Sequence, residues 1–290
     1  MAIPTKVPNI NDEIERYLGT GESDPIYAVW SGGFMERANR AHEDLRGALV
    51  AAVRLRAEGL THAPLPKSDT VSLTSAKVEP MVRGLFSRAE KDVVLAAIEK
   101  SVVFVTSASI ETLLFKRDFD SSAWTLANLY LASVGAQLLG EDAPHLVGLS
   151  EQTTCYVSPE YFAEDDPFAD FIVHEAAHIF HNCKRATIGL RVTRTKEWLL
   201  DIAYRKRETF AYSCEAYARL LQRGKSPTER RALAEEYGRT AQISEERADA
   251  AEVASIVREA AAARNDWKVI LARCGPRRPV RGCCASSELG

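Results

Sequence analysis

The stretch DFIVHEAAHIF, residues 170 to 180, sets His174, Glu175 and His178 in an H-E-x-x-H pattern. On a helix, positions i and i+4 lie one above the other on one face, so both imidazoles can offer a nitrogen to a single metal ion. Imidazole binds zinc without cancelling its charge, and the ion lowers the pKa of a water in its reach toward ~7. Glu175 follows the first histidine directly, flanks the metal and can take that water's proton as it attacks a carbonyl. The competing interpretation is a buried helix that carries two histidines by coincidence.

A third ligand separates the two. A metzincin would need histidine at position 184 and glycine at 181; this chain has Lys184 and His181, which excludes that subclass. The other common arrangement takes a glutamate from a following helix. KRETFAYSCEAYARLL offers Glu208 and Glu215, both on one helical face with Ala211, whose small side chain permits close approach to the first helix. Either carboxylate is a candidate third ligand, and Glu215 is also placed to orient a ligand histidine from behind. A bland role remains for either, as the partner of Arg207 or Arg219 on the helix surface. His181 shares the face of the motif, but its rise puts it about 10 Å from His174, too far for one ion to reach both. Among Tyr204, Tyr212 and Tyr217, Tyr212 is the candidate donor to a developing oxyanion.

The combination His174-Glu175-x-x-His178 with Glu208-x-x-Ala211 resembles the gluzincin branch of zinc metallopeptidases, and more loosely is similar to the ImmA/IrrE-type peptidases. The likeness covers residues 150 to 222. It implies a zincin-like fold, Zn2+ as cofactor, Glu208 as third ligand, Glu175 as general base and an edge strand that holds substrate.

Several elements must position these groups. Phe34 to Glu58 has apolar residues at helical spacing, and residues 61 to 80, with three prolines, read as a loop or lid. Ser87 and Glu90 form a capping-box pattern ahead of KDVVLAAIEK, and SVVFVTSAS reads as a strand. Ser122 to Leu139 reads as a long apolar helix stopped by Gly140. QTTCYVS, residues 152 to 158, reads as a strand, onto which an extended substrate could add. Asp166 as cap and Pro167 at the first position predict a motif helix from Pro167 to Arg185. Further helices are expected over Thr195 to Arg223 and across Pro227 to Trp267. The expected fold class is mostly α (α+β): one zincin-like domain over residues 1 to 272, a small sheet beside the motif helix, the metal site within 150 to 222, and a flexible tail over 273 to 290.

The chain's 290 residues, 46% hydrophobic, can bury a sizeable core, and a formal charge of −3 gives no general pull toward nucleic acid or anionic membrane. The basic run KRATIGLRVTRTK, residues 184 to 196, has no interleaved aromatic platform and reads as a solvated loop. The six cysteines lack a paired framework and predict reduced thiols; with no signal peptide or apolar span evident, a cytoplasmic location is expected. The expected activity is hydrolysis of peptide bonds in a protein or peptide substrate. The alternatives are a zinc hydrolase of another substrate, an inactive metal-binding regulatory module, and a helical interaction protein without metal.

Overall fold

A sheet of only three strands divides two helical cores, and one of them contains the HEAAH helix. The computed structural model describes residues 9–62, 64–65, 69–243 and 245–276. Helices α1 (Ile10–Thr20), α2 (Phe34–Arg56), α3 (Thr70–Leu85) and α4 (Lys91–Ile98) precede strand β1 (Val102–Phe104). Then come α5 (Ile110–Phe115), α6 (Asp120–Ser133), β2 (Gly148–Glu151) and β3 (Thr154–Val157). The chain continues through α7 (Phe171–Asn182), α8 (Arg207–Arg223), α9 (Pro227–Thr240), α10 (Ala250–Ala262) and α11 (Asp266–Cys274). The class is mostly α with a small mixed sheet, as composition and pattern predict.

Strand order is β1-β3-β2, with β1 parallel and β2 antiparallel to β3. Side chains alternate across a strand, and here the alternation serves both cores. Cys155 and Val157 of β3 point into a core shared with α3, α4 and α7 to α11, whereas Tyr156 enters the core of α1, α2, α5 and α6. Burying both faces requires a near-continuous apolar strand rather than a polar-apolar alternation, and Cys-Tyr-Val meets that requirement.

Several element boundaries differ from expectation, each for a local reason. Asp69 caps α3 by accepting from Val71 and Ser72, so a helix replaces most of the expected lid. That helix tolerates Pro80 because Val78, Met81, Val82 and Leu85 are buried along it; tertiary burial outweighs the local penalty. Helix α6 stops at Ser133, before Gly140, because Gly135 turns left-handed and the Asn128 side chain captures the Leu139 N–H. Residues 195 to 206, expected to be helical, run mostly as loop before α8. The expected helix over 227 to 267 is instead α9, α10 and the start of α11, broken across residues 241 to 249 and again at 263 to 265. At the C-terminus, α11 carries order through Cys274, past the expected start of the tail; residues 277 to 290 of that tail lie outside the described residues.

Among the described residues, no helix is long and apolar enough to cross a membrane. The four cysteines described, Cys155, Cys183, Cys214 and Cys274, are free and buried. In the basic run, Arg185 is buried and pairs with Glu90, which fastens the loop to the start of α4; Arg191, Arg194 and Lys196 are exposed.

Candidate metal centre

Helix α7 begins at Phe171, not Pro167, because Asp170 rather than Asp166 caps it. The Asp170 carboxylate accepts from the Val173 N–H, and the Asp170 N–H donates to Glu215 at 2.7 Å. Asp166 instead closes a turn onto the Phe168 N–H. Lys77 of α3 reaches the same Asp170 carboxylate at 2.6 Å. The start of the motif helix is thereby pinned to both α3 and α8. Behind it, Ile172, Val173, Ala176, Ile179 and Phe180 are buried, and Ala211 of α8 is fully buried in the same core. Small side chains at such a crossing let two helix backbones approach closely.

This packing turns His174 and His178 toward α8. His174 Nε2 and His178 Nε2 stand 3.1 Å apart. Glu208 Oε2 lies 3.3 Å from His178 Nε2 and 3.8 Å from His174 Nε2. The three ligand atoms lie within 4.8 Å of one another. Donors on a tetrahedral zinc, with bonds of about 2.0–2.1 Å, stand about 3.3 Å apart, so the observed spacings fit one such ion.

The far sides of the imidazoles explain why these faces converge. His174 Nδ1 is 3.0 Å from Glu215 Oε2; a carboxylate can only accept, so Nδ1 carries a proton and Nε2 is the nitrogen turned toward the cleft. His181 Nδ1 donates to Asn182 Oδ1 at 3.1 Å, which leaves His181 Nε2 to accept from His178 Nδ1 at 3.0 Å. Burial, helped by the charges of His178 and Arg207, holds His181 down to about 3, so it is neutral and fit to accept. His178 Nδ1 is thereby taken up by His181, and His178 Nε2 faces His174 Nε2 and Glu208 Oε2. Two imidazole nitrogens and a carboxylate oxygen facing one another could hold a cation. Burial depresses the basicity of His174, but the Glu215 hydrogen bond and the charges of Glu215, Glu175 and Glu208 together lift the group to about 9, so a cation at Nε2 would displace a proton. Burial likewise pushes Glu208 up, and the His178 bond, both histidines and Arg247 together bring it down to about 2, so it is ionised.

Glu175 stands apart from the three ligand atoms. It is buried under β2, where a Cβ added to Gly148 would stand 2.5 Å from its Oε1, and the Ser150 hydroxyl bonds it. Burial raises its pKa above the usual carboxylate range, against the pull of His178 and His174. The Tyr212 ring meets the His174 ring edge-on with centroids 4.5 Å apart. Tyr217 turns away, bonding Asp266 and packing on Trp267, and Tyr204 is 79% exposed at the rim. All the motif residues line one cleft of about 1220 Å³, together with residues 144 to 150 and Arg247.

Glu215 is thus placed behind His174 rather than among the three converging atoms, and His181 sits behind His178. Strand β3 is paired on both edges, so an added strand cannot use it as expected; the free edge facing the cleft belongs to β2. Sequence reasoning missed β2, because the turn at Gln152 carries no Gly or Asn to mark a hairpin although Gln152 adopts φ 50°. It also missed Arg247, whose Nη2 holds Glu208 Oε1 at 3.0 Å from the α9–α10 connection; no spacing rule links positions so far apart.

No protein-family model, curated protein or solved structure matches the chain.

Proposed function

We propose that the chain is a zinc-dependent metallopeptidase of gluzincin type, in which His174, His178 and Glu208 hold Zn2+ and Glu175 serves as general base. The observation that carries this reading is the convergence of two imidazole nitrogens and a carboxylate oxygen beside a separate, buried glutamate in an open cleft. When bound, zinc supplies Lewis acidity to the carbonyl under attack and to water. Glu175 takes the proton of the attacking water and later gives it to the leaving amine. Tyr212 offers its hydroxyl, which has no hydrogen-bond partner among the described residues, to the developing oxyanion.

An extended substrate adds along the free edge of β2, its backbone held by the strand's unpaired groups. A peptide bond presents both the backbone for that pairing and the carbonyl for attack, which favours peptides over smaller esters or amides. The substrate is a protein or peptide.

The direct test is cleavage of a mixed peptide library by protein loaded with one equivalent of zinc. Cleavage should disappear on chelation and return with added zinc; cleavage that survives complete metal removal would rule the reading out. A finer expectation concerns Gly148. Alanine there cannot coexist with Glu175 as placed, and an ångström of displacement costs up to about 100-fold in rate. Gly148→Ala should therefore lower kcat by roughly 10- to 100-fold while zinc affinity, measured by chelator competition, stays near that of the parent.

A further inference from the structure

One flank of the cleft holds a cation that no acidic group pairs with among the described residues. Arg207 opens α8, next to Glu208, and its half-buried guanidinium lines the cleft. Its Nε is buried with no hydrogen-bond partner, its Nη1 reaches only Asn182 Oδ1 at 3.5 Å, and it makes no ion pair among the described residues. Its Cζ stacks 5.3 Å from the Tyr204 ring centroid, which fixes the direction of the fork. Arg205, exposed on the same rim, also has no ion pair among the described residues, whereas Lys206 between them turns away to Glu252. Arg247 nearby is already committed to Glu208 and Glu245.

Leaving a buried N–H of a guanidinium unpaired is costly, and a planar fork matches a carboxylate in two parallel hydrogen bonds. The group lies a short way along the cleft from the three converging atoms, by way of Asn182, His181 and His178. Extended chain advances about 3.3 Å per residue, so a substrate group a few residues from the bond to be cut reaches it.

We propose that Arg207, backed by Arg205, forms a carboxylate-binding subsite, so that the substrate is a peptide bearing an acidic side chain or a free C-terminal carboxylate near the cleaved bond. This rests on the peptidase reading for its substrate class, but the binding it describes can be measured without turnover.

The probe is a set of fluorescein-labelled random hexapeptide pools with one position fixed as Glu, Gln or Lys, each made as C-terminal acid and amide. Binding to zinc-loaded Glu175→Gln protein is read by fluorescence anisotropy. Glu pools or acid pools should bind roughly tenfold tighter than their neutral counterparts. The advantage should vanish in Arg207→Gln, persist in part in Arg207→Lys, and shrink in Arg205→Gln, which controls for misfolding at position 207. An advantage confined to the acid pools identifies the C-terminal carboxylate as the bound group; one that follows Glu identifies the side chain. Equal binding of all pools, or a preference that Arg207→Gln leaves intact, would overturn the subsite. If the binding preference holds while wild type cleaves none of these pools, the peptidase reading fails and the subsite stands.

Discussion

Glu175→Gln protein should bind zinc as tightly as the parent and cleave peptides about 100- to 10,000-fold more slowly, the range set by loss of a positioned general base. The side chains are isosteric, so the space under Gly148 and the Ser150 contact remain filled. Glu175 contributes none of the three converging ligand atoms, so metal affinity should not follow activity down. An amide cannot take a proton from water, and the two other carboxylates beside the histidines are engaged: Glu208 by His178 and Arg247, and Glu215 by His174 and Asp170. Zinc titration beside initial rates checks both halves. If Glu175→Gln retains the rate of the parent, Glu175 is not the base. If zinc is lost as well, the carboxylate serves as ligand.

The two glutamates of α8 should part company when each is replaced by alanine. Glu208→Ala removes one of three ligands and should weaken zinc by more than the roughly 10- to 100-fold typical of a partner behind a ligand. Its cost to folding should be small, because the carboxylate is partly exposed and Arg247, at 67% side-chain exposure, can return to water. Glu215→Ala should show the reverse balance. It strips the His174 Nδ1 partner, for a zinc loss of roughly 10- to 100-fold, which is the cost usual for such a contact. It also leaves the buried Asp170 N–H without an acceptor, a cost of about 1–3 kcal/mol. Chelator competition and urea denaturation of the metal-free proteins separate the two. Equal zinc affinity in both variants would mean that position on α8 does not determine the role.

What the sequence disclosed depended on the range of the interaction behind it. The His174/His178 pairing and the shared face of Glu208 and Glu215 are matters of helical period, and α7 and α8 do carry them on facing surfaces. Ala211 at their crossing followed from the same reasoning. Which glutamate converges with the histidines could not follow from period, because positions seven apart share a face; the distance from Asp170 decides it, by capturing Glu215. Asp170 itself lost to Asp166 in sequence reasoning, since Asp-Pro is the stronger local helix signal and only tertiary ties to Lys77 and Glu215 favour the later start. The sheet was half legible. Cys-Tyr-Val has the content of a buried strand, but β2, with Gly148 and Glu151 in four residues, lacks β-branched residues and gains its place from pairing alone. Contacts from the N-terminal half, such as Lys77 to Asp170, had no signature, since only the folded chain brings α3 beside α7.

The most direct measurement is the coordination of zinc in protein loaded with one equivalent, by anomalous diffraction or X-ray absorption. Two imidazole nitrogens at about 2.0–2.1 Å and one carboxylate oxygen at about 2.0–2.2 Å are expected, assigned to His174, His178 and Glu208 and lost together in Glu208→Ala. Failure to retain zinc, or an ion held by Glu215, by His181 or by a cysteine sulfur, would contradict the site.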